Sequence, residues 1–220
     1  MKTFGIPFSY LLIGLLLFFA LPESGVASDN LPVKITREIP SFQVKHGDRM
    51  VTVMRNQDTL ATIHPTFAKT SRKCPPFCAQ PMQAAPGVET IGEIELIHFM
   101  MTKLQDGRGV LVDARTPDWH MRGTIPGSIN IPYISLSPSM GADDISIEDA
   151  LNQLGVKSHD DQRDFSQAKT VALWCNGSWC GQSPTAIRGL LELGYPAKKI
   201  LYYRGGMQSW HSFGLTVVTP

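Results

Sequence analysis

The stretch "TVALWCNGSWCGQSPTAIRGLLELGY", residues 170–195, carries the strongest structural signal in the chain. Its apolar opening, "TVALWC", predicts a buried strand. Ser183 and Pro184 have the residue types of an N-cap and a first helical turn, and Gly194 has that of a helix end. A strand that passes through a short loop into a helix aims several backbone N–H groups at one place, which favours an anion there. Cys175 ends the strand, so we expect its thiolate to be stabilised.

Signals for helices and strands alternate on both sides of this stretch. One helical face is formed by Ile94, Ile97, Met101 and Leu104. The apolar run "VLVDA" then predicts a strand, and Ser146 with Asp149 three residues later predicts the start of another helix, which Gly155 closes. "KILYY" predicts a further strand, and a last short helix carries Trp210. This alternation predicts an α/β domain built of βα units around a parallel sheet.

The segment 29–87 has a different character. "FQVK" and "MVTVM" are joined across a turn that contains Gly47, which predicts a β-hairpin. "CPPFCAQPMQAAPG" is too rich in proline for a helix or a central strand, so we expect an ordered loop. We therefore predict a small β-rich module over 29–87 and the α/β domain over 88–220.

Residues 1–28 have the pattern of a secretory signal peptide. Lys2 precedes an apolar run at 10–21, which is shorter than the roughly 20 residues of a membrane span. We expect export to the periplasm, cleavage near Ser28 or Asp29, and no stable membrane insertion afterwards. The formal net charge of +1 does not favour a nucleic acid partner.

Three ordered motifs within residues 88–218 resemble the rhodanese-like sulfurtransferase domains. They are "LVDARTPDWHMRGTIPGSINIPY", "TVALWCNGSWCGQSPTAIRGLLELGY" and "YYRGGMQSWHSFGLTVV". The resemblance implies a rhodanese-like α/β fold with a five-stranded parallel sheet flanked by helices, and sulfur transfer through a persulfide on Cys175. It also implies that Asp113 and Arg115 form a buried charge pair that supports the active-site loop.

The active-site loop departs from the family pattern in its length and charge. Besides the two cysteines, the predicted loop and helix start comprise Asn176, Gly177, Ser178, Trp179, Gly181, Gln182 and Ser183. No Arg or Lys stands in this loop, so a thiosulfate dianion has no loop cation, and we expect a persulfide or thiol donor instead. Arg204 could reach the mouth of the site, although a solvated surface position is the alternative. Gly181 stands where the phosphatase branch of this fold requires an arginine, which argues against phosphatase activity.

The second loop cysteine, Cys180, has three interpretations. It can attack a persulfide on Cys175 and leave a disulfide, it can form a permanent bridge with Cys175, or it can belong to a zinc site, for which the usual ligand spacing is missing. Cys74 and Cys78 flank two prolines, and they predict either a structural disulfide or a relay of electrons or sulfur to Cys175. Four cysteines allow three pairings, and the sequence does not choose among them.

The sequence therefore predicts a sulfurtransferase that uses Cys175 and Cys180, with a small sulfur donor and a thiol or protein acceptor, and with no cofactor or metal. A thiol–disulfide oxidoreductase and a catalytically silent binding module are the two rival interpretations.

Overall fold

Nine strands and five α-helices are found in the parts of the chain that the computed structural model describes, namely Met1 and residues 31–159 and 162–220. The strands are β1 (Ser41–His46), β2 (Arg49–Met54), β3 (Glu89–Ile91), β4 (Gly109–Asp113), β5 (Ser128–Asn130), β6 (Lys157–His159), β7 (Gln162–Asp164), β8 (Thr170–Trp174) and β9 (Ile200–Tyr203). The helices are α1 (Glu93–Phe99), α2 (Pro117–Met121), α3 (Asp144–Gln153), α4 (Gln182–Glu192) and α5 (Gly206–Ser212).

Short helical segments complete the chain between these elements. A π-helix, Met100–Leu104, continues α1, and 3₁₀ helices lie at Pro65–Phe67, Tyr133–Leu136, Pro138–Met140 and Ala197–Lys199. The predicted signal peptide falls almost entirely outside the described residues. Among the helices that are described, none is long and apolar enough to cross a membrane. All elements named here belong to the compact unit Pro32–Pro220.

The central sheet has five parallel strands in the order β3-β9-β8-β4-β5, as predicted. Two of its three inner strands, β8 and β4, are buried almost throughout, because helices cover both faces. Alternate residues of β4 therefore point into different cores: Val112 packs with α3 and α4, while Leu111 packs with α1 and α5. The loops that follow β4, β8 and β9 meet at the carboxyl edge of the sheet, where ligands bind in open α/β folds.

The N-terminal hairpin, formed by β1 and β2, is antiparallel as predicted. Its apolar side chains Phe42, Val44 and Val53 are buried in the same core as Trp210 of α5. The backbone also joins the hairpin to the C-terminal segment, since the Thr216 N–H donates to the Met54 carbonyl at 3.1 Å. The hairpin thus shares a core with the sheet, and the domain boundary at residue 87 stays a prediction.

Two helix starts differ from the expected ones. Asp143, rather than Ser146, caps α3, and its carboxylate accepts the Ser146 N–H at 2.8 Å. Gly181, rather than Ser183, is the N-cap of α4, which places Ser183 inside the first turn. The Asp143 carboxylate caps α3 as well as a serine hydroxyl would. Because α4 begins before Ser183, the Ser183 hydroxyl is free to donate to Cys175.

Candidate active site

Cys175 lies directly after β8, at the carboxyl edge of the sheet, and only 2% of its surface is exposed. When it is protonated, its thiol donates to the Cys180 carbonyl oxygen at 3.3 Å. Other groups donate to its sulfur. The Ser183 hydroxyl donates to the sulfur at 3.0 Å, and the backbone N–H groups of Ser183 and Gly177 also stabilise the thiolate. The loop and the start of α4 therefore form the anion cradle that the sequence predicts.

These donors outweigh the effect of burial on the thiol. Burial raises the pKa of Cys175, whereas hydrogen bonds from the Cys180 thiol, the Ser183 hydroxyl and the backbone N–H groups of Ser183 and Gly177 lower it, and the result is a pKa of about 7. A cysteine of this kind is substantially ionised near neutral pH. The site therefore presents a buried nucleophile without a separate general base.

Cys180 is the second free thiol of the loop and is also buried. Its backbone N–H donates to the Gly177 carbonyl at 2.9 Å, which closes a tight turn beside Cys175. The hydrogen bond to Cys175 and burial raise the pKa of Cys180, so its proton stays on while Cys175 is ionised. The two cysteines are thus arranged as a thiolate and a neighbouring neutral thiol, and the loop bridge is not formed in this structure.

The amino end of α5 holds the active-site loop from below. The Met207 N–H donates to the Cys175 carbonyl at 2.9 Å, and the Gln208 N–H donates to the Asn176 carbonyl at 3.0 Å. Gly206 has a φ of +54°, and a Cβ atom there would lie 2.2 Å from the Cys175 carbonyl oxygen. Only glycine fits this close approach in that backbone conformation, which explains the Gly-Gly pair in the third motif.

Asp113 and Arg115 form the buried charge pair that the resemblance implies. The Arg115 guanidinium donates to both Asp113 carboxylate oxygens, at 2.8 and 2.6 Å. The third guanidinium nitrogen donates to the Asn176 side-chain oxygen at 3.3 Å, and the Cζ atom of Arg115 lies 4.6 Å from the Trp174 ring centroid. The pair therefore supports the loop from beneath, and we assign it no contact with a reacting atom.

The environment of Asp113 includes a histidine that the sequence leaves unassigned. His120 lies in α2, half-buried, with Nδ1 3.0 Å from an Asp113 carboxylate oxygen, and the Thr124 hydroxyl donates to the same oxygen. Burial raises the pKa of Asp113, but the hydrogen bonds from Arg115 and His120 outweigh it, so the pKa is lowered. Asp113 therefore remains ionised beneath the loop.

Residues 64–82, which we call the arm, cover the active-site loop. The Gln80 N–H donates to the Ser178 carbonyl at 2.8 Å, and the Phe77 ring packs edge-on against Trp179 at 5.6 Å between centroids. Cys74 and Cys78 are joined by a disulfide within the arm. The bonded pair agrees with the structural interpretation of these two cysteines, and the arm brings it into the neighbourhood of the active-site loop.

Arg204 does not lie in either position considered for it. Its guanidinium donates to the Gln80 carbonyl at 2.8 Å and to the Pro81 carbonyl at 3.3 Å. The side chain is half-buried and serves to fasten the arm to the turn after β9. It is neither a free surface charge nor a cation over the cysteine loop.

A cleft of about 630 Å³ opens between the arm and the active-site loop. Its aromatic walls are Phe77, Trp119, Tyr133 and Trp179, and its base includes Asn176, Cys180, Gly181 and Gln182. Two cations of the arm, Lys69 and Arg72, also line it, and none of the described lining residues is Asp or Glu. Cys180 thus lies at the surface of the cleft, with Cys175 behind it.

Lys69, Arg72 and Trp119 are cleft residues to which the sequence did not assign a role. Arg72 and Lys69 precede Cys175 by about 100 residues in a segment without regular periodicity, so no pattern predicts that the arm folds over the loop. Trp119 belongs to the first motif, but its exposure to the cleft depends on α2. Trp179 lines the cleft, and its indole N–H donates to the Gln208 side chain at 2.7 Å.

No group of three or more His, Cys, Asp or Glu side chains in the described part of the chain is arranged to hold a metal ion. The sulfur atoms of Cys175 and Cys180 both contact polar side chains at the start of α4. The Ser183 hydroxyl bonds Cys175, and the Cys180 sulfur lies 3.5 Å from the Gln182 side-chain oxygen.

Comparison with known proteins gives similarity over the α/β part of the chain. The HTH-type transcriptional regulator Rv0324 of Mycobacterium tuberculosis is 25% identical over 118 residues, which are 54% of this chain and 41% of that protein. The chain thus matches less than half the length of this curated relative. A rhodanese-related protein from Thermoplasma volcanium is 24% identical, with 60% of this chain and 99% of that chain covered and a TM-score of 0.39. Human single-domain sulfurtransferase TSTD1 is 20% identical, with 56% and 95% covered and a TM-score of 0.38.

The family assignment depends on a match to a family model rather than on these individual similarities. The model described as "Rhodanese-like domain" matches residues 99–213, which is more than half of the chain. The match covers the first two motifs, the third motif as far as Phe213, four of the five strands of the central sheet and the loop that carries Cys175. The chain belongs to the rhodanese-like domain family.

Proposed function

We propose that this protein is a sulfurtransferase that carries sulfane sulfur as a persulfide on Cys175. The observation that supports this most strongly is the set of hydrogen bonds to the Cys175 sulfur, from the Ser183 hydroxyl and from backbone N–H groups, which helps to lower the pKa of Cys175 to about 7. A sulfur that is anionic near neutral pH can attack a sulfane sulfur, and the same donors stabilise the persulfide anion that results. Membership in the rhodanese-like family supports the same chemistry.

Loading and transfer each exchange one sulfur–sulfur bond for another. The Cys175 thiolate attacks the outer sulfur of a donor persulfide, a new S–S bond forms, and the donor leaves as its thiolate. An acceptor thiolate then attacks the outer sulfur on Cys175, takes it as a new persulfide, and regenerates the Cys175 thiolate. Neither step needs an oxidant or a cofactor. Small sulfur donors and thiol or protein acceptors are therefore the partners that we propose.

Cys180 provides an internal route that ends the loaded state. If the Cys180 thiol loses its proton, its sulfur can attack the inner sulfur of the persulfide, forming a Cys175–Cys180 disulfide and releasing hydrosulfide. The raised pKa of Cys180 slows this step while the negative charge stays beside it. We propose that this thiol acts as a slow resolving group, so that a donor-loaded protein persists long enough to meet an acceptor.

The test is persulfide formation in two single variants, after complete reduction, followed by intact mass over time. Cys175→Ser should load no sulfur from any donor. Cys180→Ser should load sulfur and should keep it longer than the wild type when no acceptor is present. Loading that survives Cys175→Ser and disappears in Cys180→Ser would reverse the two roles.

A thiol–disulfide oxidoreductase is the second candidate, and one observation favours it. Cys175 and Cys180 are both free and joined by a hydrogen bond, which is the arrangement of a redox-active dithiol. Mass spectrometry of the untreated protein separates the candidates: a persulfide on Cys175 supports transfer, mixed disulfides support exchange, and a bridge that resists reduction supports a silent binding module.

The exported location completes the proposal. We propose that residues 1–28 direct the chain to the periplasm, where the Cys74–Cys78 disulfide can form and persist. Expression of the full chain in a bacterial host, followed by fractionation and N-terminal mass analysis, tests this. A mature chain that begins near Ser28 or Asp29 in the periplasmic fraction is the expected result, and an uncleaved chain in the cytoplasm would contradict it.

A further inference from the structure

The hydroxyl group of Tyr202 has no hydrogen-bond partner among the residues that the structure describes. Tyr202 belongs to β9, its surface is 1% exposed, and its ring packs in the core between the sheet and helices α3 and α4. Removing a hydroxyl from water without a hydrogen bond destabilises a fold, so buried hydroxyls are nearly always paired. An unpaired one therefore needs a functional explanation.

The side chain of Tyr202 and the Cys175 sulfur lie on the same face of the sheet. Tyr202 is paired with Leu173 of β8, and Cys175 follows Leu173 by two residues, or roughly 6.6 Å along the chain. Since side chains alternate between the two faces of a sheet, Leu173 and Cys175 share the face that α4 covers. The hydrogen bond from Ser183 of α4 to the Cys175 sulfur confirms this placement. Tyr202 and the nucleophile are thus neighbours beneath α4.

The charges that act on the phenol indicate that its hydroxyl points toward the carboxyl edge of the sheet. Burial raises the pKa of Tyr202, the negative charge of Cys175 raises it further, and the positive charge of Arg204 lowers it. Cys180 and Arg188 act in the same two directions. Charge interactions weaken with distance, and Cys175 and Arg204 lie directly after β8 and β9. The hydroxyl is therefore within the electric field of the reactive sulfur, although it makes no hydrogen bond to that sulfur.

From these observations we propose that the Tyr202 hydroxyl donates a hydrogen bond to the outer sulfur when Cys175 carries a persulfide. This inference rests on the proposed function, because it concerns the loaded state of the same cysteine. In the unloaded protein the negative charge is on the Cys175 sulfur, to which Ser183 and backbone N–H groups donate. In the persulfide the charge is on the outer sulfur, which is one S–S bond of about 2.05 Å farther out. Water has little access to this layer, because both residues are no more than 2% exposed. Tyr202 thus supplies a donor for the loaded state alone.

Tyr202→Phe tests this inference, because it removes only the hydroxyl oxygen. The loading equilibrium is measured by intact mass in mixtures of cysteine persulfide and cysteine, on a Cys180→Ser background that lacks the internal route. A hydrogen bond to a charged group contributes a factor of about ten, so Tyr202→Phe should lower the loading equilibrium constant about tenfold. Alkylation of the unloaded Cys175 by iodoacetamide should keep its pH profile, because the hydroxyl makes no bond to the thiolate.

Tyr195→Phe is the matched control, because Tyr195 is another buried tyrosine of the same core and its hydroxyl donates to the Lys169 carbonyl at 2.6 Å. This variant should lower the urea midpoint of the unloaded protein and should leave the loading equilibrium within twofold of its parent. Tyr202→Phe should show the opposite pattern, with no fall in the urea midpoint, since the hydroxyl that it loses has no partner. A lower midpoint for Tyr202→Phe would show that its hydroxyl is already bonded in the unloaded protein, and would overturn the inference.

The loading measurement separates this inference from the proposed function. If Cys175 loads equally well with and without the Tyr202 hydroxyl, the function stands and the inference is wrong. If Tyr202→Phe shifts the pH profile of unloaded Cys175 as far as it shifts the loading equilibrium, the hydroxyl supports the site as a whole, which also overturns the inference. If no donor loads Cys175 in the parent protein, the proposed function itself is wrong.

Discussion

Removal of the Ser183 hydroxyl should raise the pKa of Cys175 and lower its reactivity at neutral pH. The site brings this pKa from an ordinary 9.0 to about 7, which corresponds to a stabilisation of the thiolate by roughly 3 kcal/mol. Ser183 supplies one of the two side-chain hydrogen bonds in that shift, at 3.0 Å. A hydrogen bond to a charged group contributes about 1.5 kcal/mol or more, so Ser183→Ala should raise the pKa by about one unit.

The assay is the rate of Cys175 alkylation by iodoacetamide as a function of pH, with peptide mass mapping to locate the label. Near pH 7 the thiolate fraction should fall from about one half to about one tenth, so the rate should fall roughly fivefold. The wild-type and variant rates should converge at high pH, where both thiols are ionised. Ser178→Ala is the matched control, because Ser178 is another loop serine and is not among the groups that stabilise Cys175.

Superimposed pH profiles for Ser183→Ala and the wild type would refute this reasoning. A uniform loss of rate at all pH values would do so as well, because it would show that Ser183 controls access to the sulfur rather than its ionisation.

Three further predictions concern the loop and the domain. Gly206→Ala should disrupt the loop and abolish the reactivity of Cys175, because the new Cβ would clash with the Cys175 carbonyl. The control variant Gly47→Ala has a similar φ of +57° but lies in open space, so it should cost only about 1–2 kcal/mol of stability. Equal denaturant midpoints for the two variants would argue against the clash. The reduced protein should gain stability as pH rises from about 7 to 9, because the pKa of Cys175 is lower in the folded protein than in the unfolded chain. This contribution is complete above the unfolded pKa and is lost as pH falls through the folded pKa. Urea titrations of Cys175→Ser should lack this gain. The fragment 88–220 should unfold cooperatively when reduced, and a non-cooperative transition measured by circular dichroism would move the domain boundary.

The sheet and the position of Cys175 at the end of a strand could be predicted from the sequence, because each depends on local signals. Two buried apolar runs, helix-capping residues and the Gly-Gly turn specify strands and helices over a few residues each. The strand that ends at Cys175 and the helix that follows it determine the anion cradle. The charge pair of Asp113 and Arg115 followed from the family motif and is confirmed by its geometry.

The cleft could not be predicted because it depends on contacts between distant segments. Arg72 contacts Trp179 only because the proline-rich arm folds over the loop. Arg204 holds the arm by hydrogen bonds to backbone carbonyl groups, and every residue has such a group, so no sequence pattern indicates these bonds. The sequence shows that the loop has no cation, but it does not show that Lys69 and Arg72 of the arm line the cleft beside it. The predicted starts of α3 and α4 were wrong by three and two residues, because Asp143 and Gly181 are the N-caps in place of the expected serines.

Single-turnover transfer from the loaded protein tests the central claim most directly. The reduced protein is loaded with a persulfide donor, freed of excess donor, and mixed with an acceptor thiol while intact masses are followed. The account predicts that the mass of one sulfur atom leaves the peptide containing Cys175, appears on the acceptor as a persulfide, and leaves a protein with two free thiols at Cys175 and Cys180. Sulfur that never appears on Cys175, or that leaves only as hydrosulfide while a Cys175–Cys180 disulfide forms, would contradict it.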